Sequence, residues 1–597
     1  MCGIVGLVGA QISDWVQAMN DVQSHRGPDD GGAYFDDQNM VSLAMRRLAI
    51  IDFAGGEQPI ISADGRYAIV YNGEIFNAPE LRCELEADGV AFTSDHSDTE
   101  VLFQLLQREG TSCLPKLNGM FSFALWDKQK RELLLGRDRF GIKPLHYLES
   151  GSTFAFASEI KSLKVLPLDF GKLDAESIYH YFSLLYVPGS QTAYSAIKRV
   201  PPGSFLKYSL DDRSVEVQPF WQMHFAPENG LSREDWCSAI REELGAAVSR
   251  WAWSDVPVAI SLSGGLDSSA LAGLAVQQGV NLKSFSLGFS GDGEEDWNEL
   301  PLARKVAEKW GMEHEEIVLD PKVLLDELPQ MVASLDEPYG GGLPSWFVFK
   351  GMGEQFKVAV TGSGGDELFG NYGKWLSLEA RWLGRFGRRK PLEITEENFR
   401  KNMFDQFYYA SDSFKKELFA GTDIADYATS HFLRERFLDA GRQGASTVRD
   451  AHAIMDCETQ LCDEFLLMTD RFSMAHSLEA RTPFLDNGFV DLVSRIPAEI
   501  RTSRSDLKGL LRDSVAPLLP PELVGAPKKG FVIPLGKWLR AELKDIVREL
   551  LSEEKLKQQG YFNPEFVLRR LAEHQDGKKD HTYFLWPMLM FQLWQAR

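Results

Sequence analysis

The chain has 597 residues, 44% of them hydrophobic and 25% charged. That length exceeds what one hydrophobic core carries, so at least two domains of a soluble globular protein are expected. Lys and Arg number 64 against 86 Asp and Glu, a formal charge of −22, which argues against a nucleic-acid backbone as partner.

The local exception is RFGRRK (385–390), which reads as a solvated helix end or loop. Six sparse cysteines form no CxxC pair, so neither a disulfide framework nor a zinc site is suggested. Cys457 and Cys462 read as helix residues, one of them buried. No run approaches the roughly 20 apolar residues of a membrane span. No basic residue precedes the short apolar run IVGLVGA, so it is not read as a signal peptide. A reducing, cytoplasmic setting without membrane insertion is expected.

The chain opens MCGIVG. If Met1 is removed, Cys2 carries both a thiol and a free α-amine; taken alone, it is a small residue in a first strand. Through about residue 165, IVGLVG, LAIID, YAIVYNGEIF, FSFALWD, ELLLGRD and TFAFASE read as strands bounded by Gly, Asp and Asn. PELRCELEADG and DTEVLFQLLQREG read as helices. Stacked strands with outer helices make an α+β domain. Polar clusters punctuate it. HRGPDDGG (25–32) is a tight loop containing Arg26, and MRRLAIID puts Arg47 at a strand start. YNGEIFN puts Asn72, Gly73 and Glu74 in a turn, and SDTE puts Asp98 at a helix start.

From about residue 230 strands and helices alternate. VPVAISL (256–262) is a continuous apolar run, as expected for a buried parallel strand. SGGLDSS (263–269) and a helix follow it. SFSLGF, HEEIVL and KVAVTG supply further strands, so a doubly wound α/β sheet is expected, with ligands at the carboxyl ends of its strands. Strand, SGGLDSS, helix is a phosphate-binding arrangement: glycines admit an anion, and serine hydroxyls and helix N–H groups donate to it. It lacks the GK[ST] ending of a Walker loop. Asp267 in such a site repels phosphate unless a cation intervenes. Mg²⁺ resolves the conflict, and Asp366 in TGSGGDELFG can complete the metal site.

The clusters of the first third, with GRDRFGIKPL (136–145) and FASEIKSL (156–163), resemble a class II glutamine amidotransferase domain. Attack on a carboxamide needs a thiolate. A free thiol titrates near about 8.5 and an α-amine near about 8, so the α-amine of Cys2 serves as general base and later protonates departing ammonia. The resemblance assigns the oxyanion to the Asn72 side chain and the Gly73 N–H. Glutamine's α-carboxylate suits Arg47, and its α-ammonium suits Glu74 and Asp98. The resemblance adds Leu48, Ile50 and Ile51 to the glutamine site. SGGLDSS is similar to the pyrophosphate loop of N-type ATP pyrophosphatases.

With SGGDELFG and SMAHSLEARTPFLD (473–486), the whole chain resembles the glutamine-hydrolysing asparagine synthetase family. The resemblance implies an N-terminal-nucleophile αββα sandwich over 2–212. It implies an α/β parallel-sheet ATP-pyrophosphatase domain with a helical C-terminal extension over 213–597. ATP would meet Leu262, Ser263, Gly264, Gly265, Asp267, Ser268, Ser269, Leu287, Thr361 and Gly362. Lys508 matches the lysine that faces the phosphates, and Mg²⁺ would sit on Asp267 and Asp366. The partners implied are L-glutamine, ATP and an acceptor carboxylate; a homodimer stays open. Ammonia must travel unprotonated, so a water-excluding passage is required.

The sequence departs from the family at Ser363, which stands where the family has a glutamate beside the aspartyl substrate. That role is not carried over. LDEPYGGGLPSWFVF (335–349) and APKKGFVIPLGKWLR (526–540) resemble a bacterial side branch that amidates other carboxylates. Aspartate is the first acceptor reading and a uronic acid sugar of surface polysaccharide the alternative. A stand-alone glutaminase conflicts with the intact SGGLDSS, and a tRNA-modifying protein conflicts with the charge of −22.

Overall fold

The computed structural model describes residues 2–9, 13–290, 299–370, 372–377, 394–395, 408–525 and 535–597. The basic run 385–390 and the segment 526–534 lie outside these residues.

The first unit holds two six-stranded antiparallel sheets, one in the order β10 (Ile197–Arg199), β8 (His146–Ser150), β9, β1, β3, β2 (Asp30–Asp36), the other in the order β12, β11, β7 (Glu132–Arg137), β6, β5, β4 (Ile60–Ile61). In the first, β1 (Cys2–Val8) lies between β3 (Val41–Arg47) and β9 (Thr153–Ala157). In the second, β5 (Tyr67–Ile75) pairs β6 (Gly119–Asp127). Alternation sorts the side chains. Cys2, Ile4 and Val8 join Val70, Ala124 and Trp126 between the sheets. Val5 and Leu7 face outward onto Val16 and Met19 of α1 (Ser13–Asp21). Ile69 and Tyr71 meet Val101, Leu102 and Leu105 of α3 (Asp98–Glu109), beside α2 (Ala78–Ala87). The result is the expected αββα sandwich.

Two local expectations change. LAIID (48–52) is a loop, not a strand: the Arg47 guanidinium takes the carbonyls of Ile51, Asp52 and Phe53 and folds the chain back. Arg47 therefore ends β3 rather than starting a strand. Asn72, Gly73 and Glu74 sit inside β5, opposite Ser122, Phe121 and Met120, not in a turn. The glycine answers to close approach, since a Cβ at Gly73 would lie 2.1 Å from the Met120 carbonyl oxygen. At the edge of this sheet β11 (Ser204–Ser209) pairs β12 (Ser214–Pro219).

The second unit is built on a five-stranded parallel sheet, β15-β14-β13-β16-β17. β13 (Val258–Ser261) and β16 (Val358–Val360) are central. From β13 the chain winds outward through β14 (Leu282–Phe289) and β15 (His314–Leu319), then returns to the other side. Such a reversal opens a crevice at the carboxyl ends of the two central strands. The edge strand β17 (Glu479–Arg481), inside SMAHSLEARTPFLD, was not foreseen. Cys457 and Cys462 are both buried, on a π-helical stretch Cys457–Leu466. Leu48, Ile50, Phe76, Met120 and Ile142 of the first unit share one apolar core with the second. Among the described residues no helix is long and apolar enough to cross a membrane.

Candidate active site

Two centres emerge. At the start of β1, Cys2 is only 5% exposed. Its N–H donates to Asn72 Oδ1 at 3.0 Å, and its carbonyl accepts from Arg26 Nε at 3.2 Å. Beside it lies a cavity of about 30 Å³, lined by Cys2, Arg47, Leu48, Ile50, Ile51, Gly73, Glu74 and Asp98, with Gln58, Tyr71 and Thr99. Residues separated by 96 positions in sequence thus share one small space, while Asn72 stands behind Cys2. The cavity has room for a couple of waters.

Electrostatics fit an amino acid held end to end. Asp98 Oδ2 accepts from the Tyr71 hydroxyl at 2.8 Å and from the Ile75 N–H at 3.1 Å. Burial pushes the Asp98 carboxyl up, against these hydrogen bonds. Burial and the Asp98 charge hold Glu74 well above the ordinary carboxylate range, with Arg481 opposing from 3.5 Å. Arg481 is not enough to let both buried carboxylates ionise fully, and an ammonium between them removes the conflict. Burial also pushes the Cys2 thiol up, with Arg47 acting the other way. A raised thiol needs a base to become a nucleophile.

The second centre is a cavity of about 420 Å³ at the carboxyl ends of β13 and β16. Ser263, Gly264, Gly265, Asp267, Ser268, Thr361, Gly362, Asp366 and Lys508 line it. Gly264 has φ +73°, and a Cβ there would sit 2.9 Å from the Glu299 carbonyl oxygen. That left-handed turn feeds α4 (Leu266–Gln277). Ser263 and Ser268 brace the loop: Ser263 N–H donates to Ser268 Oγ at 3.1 Å, and Gly265 N–H to Ser263 Oγ at 3.2 Å. Leu262, just past β13, Ser269 on α4 and Leu287 on β14 stand outside the lining. Leu262 instead donates its N–H to the Phe285 carbonyl at 2.8 Å.

Lys508 Nζ donates to Asp267 Oδ2 at 2.5 Å and Asp366 Oδ1 at 2.7 Å. Burial works against the ammonium, yet the two acids hold its pKa above the ordinary value. A cation already bridges these carboxylates, and the donor set is hard oxygen. Among the described residues no group of three or more His, Cys, Asp or Glu could hold a metal. Two carboxylates plus substrate phosphates suit Mg²⁺, which keeps most of its shell for water and phosphate.

Ser345, Val348 and Phe349 of α5 (Ser345–Gly353) bring the end of LDEPYGGGLPSWFVF into the lining, whereas Met468 and Thr469 of α6 (Leu467–Met474) escaped the sequence reading. Their only sequence signal was apolar helical periodicity. Ser363 does line the cavity. Of YGGGLPSW, Gly340 is packed away from it: its N–H meets the Leu185 carbonyl at 3.0 Å and its carbonyl the Trp586 indole at 2.9 Å. Arg481 was also missed. Fully buried, it bonds Glu479 at 2.6 Å and faces Glu74, while its carbonyl accepts the Thr361 N–H at 2.8 Å.

Comparison with known proteins agrees with this layout. Residues 1–221 match the glutamine amidotransferase domain and residues 239–596 match asparagine synthase. The chain is 34% identical to asparagine synthetase [glutamine-hydrolyzing] 1 of Bacillus subtilis, over all of this chain and 96% of that one. It is 32% identical to a putative asparagine synthetase [glutamine-hydrolyzing] of Mycobacterium tuberculosis, over 100% and 97% of the two chains. It is 26% identical to amidase chry2 of Gibberella zeae, over 92% and 89%. The chain belongs to the glutamine-hydrolysing asparagine synthetase family, enzymes that join carbon to nitrogen with glutamine as amide donor.

Proposed function

We propose that this enzyme amidates an acceptor carboxylate through an acyl-adenylate, with aspartate as the acceptor and asparagine as the product. The observation that carries the reading is the pairing of two centres. One gathers Cys2 with Arg47, Glu74 and Asp98, the residues we assign to glutamine, and the other gathers the SGGLDSS loop with Asp267, Asp366 and Lys508. After Met1 is removed, the α-amine of Cys2 sits against Asn72 and takes the thiol proton as sulfur attacks the carboxamide carbon. The Asn72 amide and Gly73 N–H receive the oxyanion. The C–N bond breaks, the α-amine returns its proton to ammonia, and water releases glutamate from the thioester.

In the second centre an acceptor carboxylate oxygen attacks the α-phosphorus of ATP and pyrophosphate leaves. Lys508 and the loop N–H groups neutralise the departing charge. Mg²⁺, held by Asp267 and Asp366, would supply further charge neutralisation on the phosphates. Ammonia then attacks the acyl carbon, AMP leaves with the electrons of the C–O bond, and the nitrogen gives up its extra proton to water. Ammonia requires a dry passage between the centres, and the apolar core shared by the halves, including Met120 and Ile142, is where it would run. We place the division between the halves in the stretch after Pro219, where the second sheet ends.

Ser363 favours a second reading. Without a carboxylate at that position the cavity has one acid fewer for an α-ammonium, and a uronic acid sugar has no ammonium to bind. A panel of carboxylates with glutamine and ATP, scored for AMP, separates the two. Aspartate-dependent AMP matched by asparagine supports the first reading; AMP with galacturonate derivatives alone replaces it. Cys2→Ala should abolish glutamine use yet keep synthesis from added ammonium. Loss of both activities in a folded variant would refute the division of labour.

A further inference from the structure

Arg26 joins the two halves at the nucleophile. Its side chain is fully buried. One edge of the guanidinium, Nε, donates to the carbonyl of Cys2 at 3.2 Å. The other edge grips Asp470 with both terminal nitrogens, Nη1 to Oδ2 at 2.7 Å and Nη2 to Oδ1 at 2.9 Å. This bidentate pair fixes a plane as well as a distance. Asp470 is 444 residues away in sequence, on α6 of the second unit. Glu159 of the first unit holds Nη1 as well, at 2.9 Å. Arg471 and Lys161 hold Glu159 in turn, at 3.0 and 2.9 Å.

We propose that Asp470 is a positioning residue for glutamine hydrolysis, supplied by the synthetase half: it holds Arg26 against the Cys2 carbonyl and so sets the direction of the nucleophile. The peptide plane of residue 2 decides where Sγ points and how its nitrogen meets Asn72. A misplacement of about 1 Å in such a geometry costs on the order of 10²-fold in rate. The neighbours of Asp470 on the same helical turn, Met468 and Thr469, line the second cavity. One turn of helix therefore touches both centres.

A buried ion pair between halves would equally be expected if it served only to hold them together. The two roles differ in what they move. Asp470→Asn leaves Arg26 paired with Glu159, so the guanidinium is not stranded. Expected is a fall of tenfold or more in kcat for glutamate release, with KM for glutamine changed less than about twofold. Ammonium-driven pyrophosphate release, measured on the same preparation, should stay within about twofold. The double variant Arg26→Met/Asp470→Leu removes the pair without leaving a lone charge, and should show the same selective loss. Glutamate release within about threefold of the parent in either variant overturns the proposal. So does an equal fall of both activities in the double variant, which marks a purely structural pair. The proposal rests on Cys2 as the glutamine nucleophile. Glutamate release surviving in Cys2→Ala removes that reading, whereas normal release in Asp470→Asn removes only this one.

Discussion

Replacing Asn72 with alanine should cost the glutaminase about three orders of magnitude in kcat. The side chain has two tasks. Its Oδ1 holds the nitrogen of Cys2 at 3.0 Å. Its Nδ2 makes only a long contact with Ser122 Oγ, at 3.5 Å, and so keeps donor strength for a developing oxyanion. A single hydrogen bond of the first kind contributes about 1 kcal/mol. An oxyanion donor contributes about 3 kcal/mol in the transition state. At about 1.4 kcal/mol per decade, the sum is about 10³-fold in kcat. KM should move less than about threefold, because Arg47, Glu74 and Asp98, which we propose hold the ends of glutamine, remain. Glutamate release at saturating glutamine is the assay, with ammonium-driven AMP formation as the folding control. Asn72→Asp separates the two tasks: it keeps an acceptor for the Cys2 nitrogen, lacks the donor and sets a negative charge beside the oxyanion. It should fall at least as far as the alanine variant. An alanine variant within about fivefold of the parent in kcat, or one altered only in KM, would refute the reasoning.

Asp267→Ala should stop acceptor-dependent pyrophosphate release while glutaminase turnover stays detectable; pyrophosphate at the parent rate removes Asp267 from the phosphate site. Glu74 titrates above the ordinary carboxylate range through burial and Asp98, and glutamine's ammonium binds the ionised form. KM for glutamine should therefore fall as pH rises from about 5 to about 8, and Glu74→Gln should flatten the trend; a flat parent profile contradicts it. Asp463 is pushed up to about 6 by burial, with Arg199 opposing. The folded carboxyl keeps a proton that the unfolded chain gives up near about 3.9, so its stability contribution is full below about pH 4 and lost by about pH 6. The loss is about 3 kcal/mol. Asp463→Asn should remove that part of the slope in denaturant midpoints measured across the same range, and identical slopes would contradict the assignment.

What the sequence made legible is chemistry that the chain writes contiguously. SGGLDSS joins a strand to a helix, so the strand, the loop glycines and the helix N-terminus all lie within a few residues of Asp267. Asp98 is readable for the same reason, as an acid in the first turn of an amphipathic helix. Misreadings came where an apolar or glycine-bearing stretch serves something distant. LAIID is apolar because Leu48 and Ile50 pack in the core shared by both halves, not because it pairs in a sheet. Gly73 looked like a turn glycine, but the constraint on it is the Met120 carbonyl of a neighbouring strand. β17 is three residues long and pairs β16 across more than 100 positions, so it leaves almost no periodic signal.

The least legible contacts are the buried charges that join the halves. A lone Arg, Asp or Glu in a polar stretch reads as a solvated face, and only the tertiary fold buries Arg26 against Asp470 and Arg481 near Glu74. Both Asp470 and Arg481 come from one short segment, and each reaches a different side of the glutamine centre: the Cys2 carbonyl through Arg26, and the ammonium site through Glu74. Burying such charges gives little net stability over an apolar pair, so stability alone is a weak reason for their presence. Their geometry supplies a better one, because each pair ties a reacting group of one half to a wall of the other's cavity. Asp470 lies next to Thr469, and the Arg481 carbonyl holds Thr361. The segment 468–481 thus makes the proposed glutamine centre a product of both halves, although every residue assigned there to glutamine belongs to the first.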